Sequence, residues 1–467
     1  MKKTKILLLV TVIISALFVT SNFVFESDYF WHIKAGELMF KNGPMTHDVF
    51  SWFLNGRYWM SHEWLFEVLL YFFKMMFGNY HLLIYPFITI LGVLLLIYIP
   101  NRDNFSKNIF YSLIYIVFLI VMLSGGVQAR PHLLSFIFIT STIYFLYDLY
   151  KNQNSKKIYF LPLITIIWAN AHGGSSNLSY ILCLIFFVCG LFKFKFKKIE
   201  ADKFTKKQLF TYLIISLLCI GAICINIHGV KMLIYPYSNM TDTLMLTYIN
   251  EWQPTSLSNP VHYIYYIYLI FIIMTMLLSD KKIKLLDFVL LGFVTYLGLK
   301  SIRFWVYSPI IMSYIIFDYI GEQKASIFSL SVFSGLVLGC FVLSIINITR
   351  IDLNKKNVYL NKEIIDIVKK ENPKRLFNMY DYGGELIYND IKVFVDGRAD
   401  LYSKYNYNDY INISTGKNDY VPLIDVYGFD YFLISKSYPI YTYIKYNNNY
   451  EVIYENKDLI LYKKTVN

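Results

Sequence analysis

The sequence predicts an α-helical polytopic membrane protein of about eleven transmembrane helices, followed by a small C-terminal α/β domain. Three observations carry this. Apolar runs about as long as a bilayer crossing recur from residue 6 to residue 347. Lysines and arginines gather in the loops on one side of those runs. Beyond residue 351 the chain turns polar, rich in Asn, Lys, Asp and Tyr, and no spanning run follows.

The bulk numbers agree. Mean hydropathy is +0.43, and 16% of residues are charged, against ~25% in an ordinary soluble domain. The formal charge of +12 does not signal nucleic acid. The lysines sit in short loops between apolar runs, where the positive-inside rule uses them to set topology. All five cysteines lie within apolar runs, with no Cys-x-x-Cys pair or Cys/His ligand spacing. Neither a disulfide framework nor a zinc site is supported.

Candidate spans fall at 6–25, 80–99, 108–124, 133–150, 158–171, 178–192, 209–227, 262–279, 285–299, 304–320 and 326–347. The first has a basic start, but its apolar run is long for a signal peptide and no small-x-small site closes it. It reads as a retained helix. The run 64–77, WLFEVLLYFFKMMF, is short and carries Glu67 and Lys74. It reads as an interfacial or re-entrant helix.

Charge orients the bundle. With Lys2, Lys3 and Lys5 inside, the inside loops are NRDNFSK, KNQNSKK, KFKFKKIEADKFTKK, DKKIK and GEQK. The opposite loops are GGVQARPH, AHGGSSN, the 228–261 segment and LKSIRF, poor in charge. If 64–77 crossed the membrane, every basic loop would flip outward. The expectation is a multi-pass plasma-membrane protein with a cytoplasmic N-terminus. A transmembrane domain spans 1–350, with a first outer loop at 26–79. An extracytoplasmic α/β domain spans 351–467. Its strand-like pieces are RLFNM, IKVFVD, FDYFLIS, YEVIYE and LILYKK.

The first outer loop holds an unusual density of acids and aromatics. Asp28 lies within a turn of the first span's outer end, where a charge avoids full burial. Phe30, Ile33 and Leu38 are spaced for an interfacial helix. Asp48 and the His62–Glu63 pair follow, which makes Asp28, Asp48 and Glu63 the candidate catalytic acids. Trp31, Trp52, Trp59 and Trp64 suit an interfacial belt or a sugar-stacking surface. The other outer loops offer Arg130 and His132, Asn170 and His172, Asn226 and His228, and Arg303. Arginine binds phosphate through two parallel hydrogen bonds, so Arg130, His132, His172, His228 and Arg303 are candidate donor-binding residues. Lys231 and Lys300 read better as snorkelling side chains. In the C-terminal segment, Asp396, Arg398 and Asp400 follow a predicted strand. They read first as a turn in which Arg398 pairs with a neighbouring acid or with Asp381. DYGGELIY lacks the spacing of a nucleotide-phosphate loop.

The pattern resembles the large GT-C type membrane glycosyltransferases, among them protein O-mannosyltransferases and the lipid A aminoarabinose transferase. In that family a D-E-x-x-Y…A…M…G run follows the first span. A K-P-P-L…W run precedes the next helices. Here ESDYFWHIKAGELMFKNG is similar to the first, and YWMSHEWLFEVLLYFFKMMFG stands where the second would. The acidic doublet is split as Glu26-Ser27-Asp28, and Ser61-His62-Glu63-Trp64-Leu65 replaces K-P-P-L. ARPH, NAHGG, NIHGVKMLIYPY…EWQPTS and DYGGELIY…KVFVDGRADLY look like a less studied prokaryotic branch. The resemblance implies a GT-C-like fold, a polyprenyl-phosphate sugar donor and transfer on the outer face. The acceptor would be a glycan, a lipid or a protein.

Under that reading, Asp28 falls on the family's catalytic acid and serves as base in a single, inverting displacement. Cations stabilise the departing lipid phosphate. No cofactor is fixed by this scheme. A divalent metal bridged by Asp28 and Asp48 stays open, without ligand-spacing support. Three other readings stay open: a transporter or flippase, a polymerase or ligase of lipid-linked surface glycans, and a purely structural or sensory membrane protein. The polar motifs cluster at one face rather than at mid-membrane, which favours the enzyme.

Overall fold

The computed structural model describes residues 2–125, 127–321, 327–353 and 358–465. Gly126 of GGVQARPH and 322–324 of the GEQK loop lie outside the described residues. The chain divides into two compact units. One comprises Met1–Val24, Asn79–Tyr237 and Ile249–Asp352. The other comprises Phe25–Gly78, Ser238–Tyr248 and Leu353–Asn467. The first outer loop, grouped on sequence with the membrane segments, thus packs with the C-terminal segment instead.

The first unit is helical. The helix Lys2–Ser21 packs on His81–Lys107 and on Ile327–Arg350, and Leu178–Gly190 packs on Lys206–Ile223. Large apolar side chains are exposed along these and the neighbouring helices Ile109–Ser124 and Tyr263–Leu278, such as Ile88, Phe110, Ile270 and Leu278. Water would not tolerate that much contiguous apolar surface, but lipid does. Among the described residues, five helical stretches are long and apolar enough to cross a membrane: Trp64–Lys107, His132–Lys151, Gly173–Gly190, Lys206–Ile223 and Pro260–Leu278. Shorter apolar helices accompany them, so the expected eleven spans are not all matched by helices of spanning length. The run 304–320 shows why. It breaks into the 3-10 turn Ile302–Phe304, the short helix Tyr307–Met312 and a second 3-10 turn, Ile316–Asp318. Pro309 supplies no N–H there, and Tyr307–Met312 is wholly buried; the segment satisfies its backbone through short local bonds such as Ile310 N–H to Val306 O and Ser313 N–H to Pro309 O.

The basic segment after residue 193 also departs from the expected loop. It forms a small sheet of β1 (Phe194–Phe196), β2 (Ile199–Ala201) and β3 (Ile283–Lys284), with β1–β2 antiparallel and β2–β3 parallel.

The second unit is built on a four-stranded sheet of β4 (Leu376–Asn378), β5 (Tyr431–Ser435), β6 (Tyr450–Glu455) and β7 (Leu459–Lys464), in the order β4-β5-β7-β6. β4 and β5 are parallel; the other pairs are antiparallel. The amphipathic helix Lys362–Glu371 buries Ile364, Ile365 and Val368. It starts where Asn361 Oδ1 accepts from the Ile364 N–H at 2.9 Å and ends on Asn372 in the left-handed region. The predicted strand IKVFVD is extended but joins no sheet. Val393 instead bridges Ser51 of the first outer loop: its N–H donates to Phe50 O, and its carbonyl accepts from Trp52 N–H at 3.0 Å. Trp52 Nε1 also donates to Leu376 O at 3.0 Å. A single aromatic core containing Trp31, Trp59, Phe377, Phe394, Phe429 and Phe432 binds loop and sheet together.

Candidate active site

The second unit gathers the acidic candidates around two helices, Asp28–Asn42 and Trp64–Phe77, and the turn Asp396-Gly397-Arg398. Asp28 opens the first helix, where the unpaired N–H groups of the first turn favour a carboxylate. Its carboxylate lies against the bare Cα of Gly397, close enough that a Cβ there would collide with Oδ1. The Trp31 indole N–H faces the same Cα; it is buried and makes no hydrogen bond. Gly384 meets the Ser27 carbonyl in the same way, and Gly383 meets Asp396. The two glycines of DYGGELIY thus allow the close approach that seats the start of the Asp28 helix. Glu385 of that motif holds the chain in place by accepting from the N–H groups of Val358, Tyr359 and Leu360 at 2.8–3.0 Å.

Asp48 reaches the same turn with another task. Both of its oxygens are engaged, by the Phe50 and Ser51 N–H groups, the Ser51 hydroxyl and Arg398 Nη1. Burial opposes its charge, but Arg398 and then Ser51 outweigh that and hold its pKa below the usual carboxylate value. Arg398 is itself buried. It grips Asp396 through Nε (2.8 Å) and Nη2 (2.7 Å), donates to Tyr402 OH, and lies over the Trp59 ring at 4.8 Å. The neighbouring-acid pairing expected for Arg398 is present in Asp396; the Asp48 contact joins it.

Glu63 sits in a third group. Its Oε1 is 3.0 Å from His62 Nε2, and its Oε2 is 3.9 Å from His32 Nε2. His32 Nδ1 is 3.2 Å from Glu67 Oε1. Burial works against a charge on His62, but Glu63 overrides it and raises the imidazole's pKa.

In the first unit, Glu251 draws the cationic candidates together. Arg303 Nη1 donates to its Oε1 at 2.9 Å, and Arg130 Nη1 lies 3.5 Å from its Oε2. Arg303 Nη2 donates to His172 Nε2 at 3.2 Å. A guanidinium can only donate, so Nε2 accepts and the proton sits on Nδ1, 2.6 Å from Ser135 Oγ and 3.1 Å from Ser175 Oγ. The Trp168 indole N–H fixes Ser135 from behind at 2.8 Å. Arg303 also lies over the Trp252 ring at 5.1 Å. Arg130 and Arg303 both keep partial solvent access. His132 opens the helix His132–Lys151 and packs edge-on to Phe136. His228 occupies the turn whose Asn226 Oδ1 accepts from the His228 N–H at 2.6 Å.

The sequence reading picked out Arg130, His172 and Arg303, which the fold joins. It did not pick out Glu251, which joins them, nor His32 and Glu67. Spacing held a signal for the last two. Asp28, His32 and Gly36 recur every four residues along one helix face, as Glu63 and Glu67 do at the start of the other helix.

No protein-family model matches the chain, and no curated protein matches its sequence. Among solved structures, the chain is similar to the archaeal oligosaccharyltransferase AglB from Archaeoglobus fulgidus, solved in complex with an inhibitory peptide and a dolichol-phosphate. The match covers 91% of this chain and 69% of that one, with a TM-score of 0.54 and 12% identity. The fold is the GT-C type of that enzyme. The resemblance read from the outer-loop motifs is thereby borne out at the level of fold. Its apolar helices and this likeness make the chain a membrane protein.

Proposed function

We propose that the protein is a glycosyltransferase that moves a sugar from a polyprenyl-phosphate donor to an acceptor at the outer membrane surface. The observation that carries this reading is the fold shared with AglB, a transferase solved with a dolichol-phosphate. The charged groups of each unit fit the chemistry. Asp28 is the base that takes the acceptor's proton as the acceptor attacks the anomeric carbon. Its carboxylate is held rigidly, because Gly397 and the helix start leave it little room. Arg130 and Arg303 bind the donor phosphate and stabilise the charge that grows on it as the bond to sugar breaks. His172 orients Arg303, while His132 and His228 are further sugar or phosphate contacts. Asp48 acts at one remove, by fixing the Arg398 turn. One displacement inverts the anomeric centre. No metal enters this scheme. The positions of the basic loops in the sequence support a cytoplasmic N-terminus with residues 26–79 and 351–467 outside.

The test is a transfer assay. The protein in lipid vesicles is given a panel of radiolabelled polyprenyl-phosphate sugars with candidate glycan, lipid and peptide acceptors. Label leaving its donor lipid supports the reading. Label retained on every donor by folded protein overturns it in favour of transport.

A further inference from the structure

We propose that His32, Glu63 and Glu67 form a binding site for a single divalent transition-metal ion within the second unit. The three side chains are buried, Glu67 to 1% exposure. One ligand atom from each lies within 4.8 Å of the other two, and among the described residues no other group of three His, Cys, Asp or Glu comes this close. The second observation is an orphan. Glu67 Oε2 is buried without a hydrogen-bond partner, while its sister oxygen meets His32 at 3.2 Å. A carboxylate removed from water and left half-satisfied is costly. A second carboxylate beside it compounds the cost unless a cation is shared.

Arg398 grips Asp48 and Asp396, and His62 Nε2 meets Glu63 at Oε1. A metal would engage the orphaned Glu67 oxygen together with His32 and Glu63.

The backbone is shaped for it. Gly36 lies one turn beyond His32, and a Cβ there would strike the Glu67 carbonyl. The helices Asp28–Asn42 and Trp64–Phe77 therefore come nearly into backbone contact beside the cluster. His32 is fixed by its ring, which lies 3.7 Å from Trp31 and edge-on to Phe66. Ligands at ~2.1 Å from a tetrahedral zinc lie ~3.4 Å apart, so the glutamates need to close by roughly an ångström. Rotation of their flexible side chains provides that.

One imidazole and two carboxylates match Zn²⁺ or Mn²⁺. Mg²⁺ and Ca²⁺ prefer all-oxygen sites. This site is separate from the transferase reading, and it uses neither Asp28 nor Asp48. Its expected effect is to pin the two helices.

The experiment uses the full chain, purified and stripped with a chelator. Co²⁺ is added to the native protein as a spectroscopic probe, followed by Zn²⁺, Mn²⁺ and Mg²⁺ with thermal unfolding as the readout. The site predicts visible Co²⁺ absorption displaced by one equivalent of Zn²⁺, and a rise in unfolding temperature with Zn²⁺ or Mn²⁺ that Mg²⁺ does not give. Glu67→Gln and His32→Asn should each weaken Zn²⁺ binding at least tenfold. No Co²⁺ spectrum in the native protein overturns the proposal, whatever the variants do. So does equal Zn²⁺ binding by native protein and both variants. Stabilisation by Glu67→Gln without any metal effect would instead reveal a proton shared between the two acids.

Discussion

Arg398 donates from Nη1 to Asp48 Oδ1 at 2.7 Å, joining residues 350 positions apart. Both side chains are almost wholly removed from solvent. This contact locks the first outer loop onto the C-terminal segment and fixes the turn against which Asp28 rests. Arg398→Met would leave Asp48 and Asp396 buried without their counter-ion. Breaking a buried pair on one side costs about 3–5 kcal/mol. Thermal unfolding should show a loss of that order, with activity lost in parallel.

The same pair predicts an acid limit to stability. Arg398 and Ser51 hold the Asp48 pKa below its usual value. A depressed carboxyl adds stability above the unfolded pKa, ~3.9, and that contribution disappears as pH falls through the lower folded value. Stability should therefore decline across that acid window. Asp48→Asn should be less stable at neutral pH and show a shallower acid decline. Unfolding temperature measured against pH checks both slopes.

Gly397 gives a sharper separation of roles. Gly397→Ala places a methyl where Asp28 Oδ1 lies, so Asp28 must move. Turnover should fall by a hundredfold or more, since correct placement of a base is worth ~10²–10⁴-fold. Donor binding should change little. Equal loss of both would mean that the turn only supports the fold.

Arg303 should resist conservative replacement. Arg303→Lys keeps the charge but cannot hold Glu251 and His172 through separate nitrogens. A hydrogen bond to a charged group is worth about 1.5–3 kcal/mol. The donor requirement should then rise roughly tenfold to a hundredfold, with acceptor dependence unchanged. Steady-state kinetics in donor and acceptor separate the two.

Much of this was legible in the chain itself. Hydropathy shows the helical unit, and short apolar, strand-like runs show four of the five predicted strands. The order of ESDYFWHIKAGEL, ARPH, NAHGG and DYGGELIY shows the fold type. What escaped depends on long-range pairing. IKVFVD looks like a sheet strand, yet its partner is Phe50–Trp52, more than 300 residues earlier. Asp48 reads as a candidate acid in the sequence, and only the fold shows that Arg398 and Ser51 engage its oxygens. Glu251 sits in a segment of ordinary polarity and gains meaning only from the two arginines it draws together. The run 304–320 is apolar enough for a span, but the chain divides it into a short helix between two 3-10 turns.

The central claim is that Asp28 is the base of a sugar transfer. The most direct measurement compares native protein with Asp28→Asn in lipid vesicles. Transfer from radiolabelled polyprenyl-phosphate sugar is followed beside donor binding and thermal unfolding. The account predicts transfer reduced at least a hundredfold in the variant, with donor affinity and unfolding temperature close to native. Transfer at the native rate by the variant would contradict it.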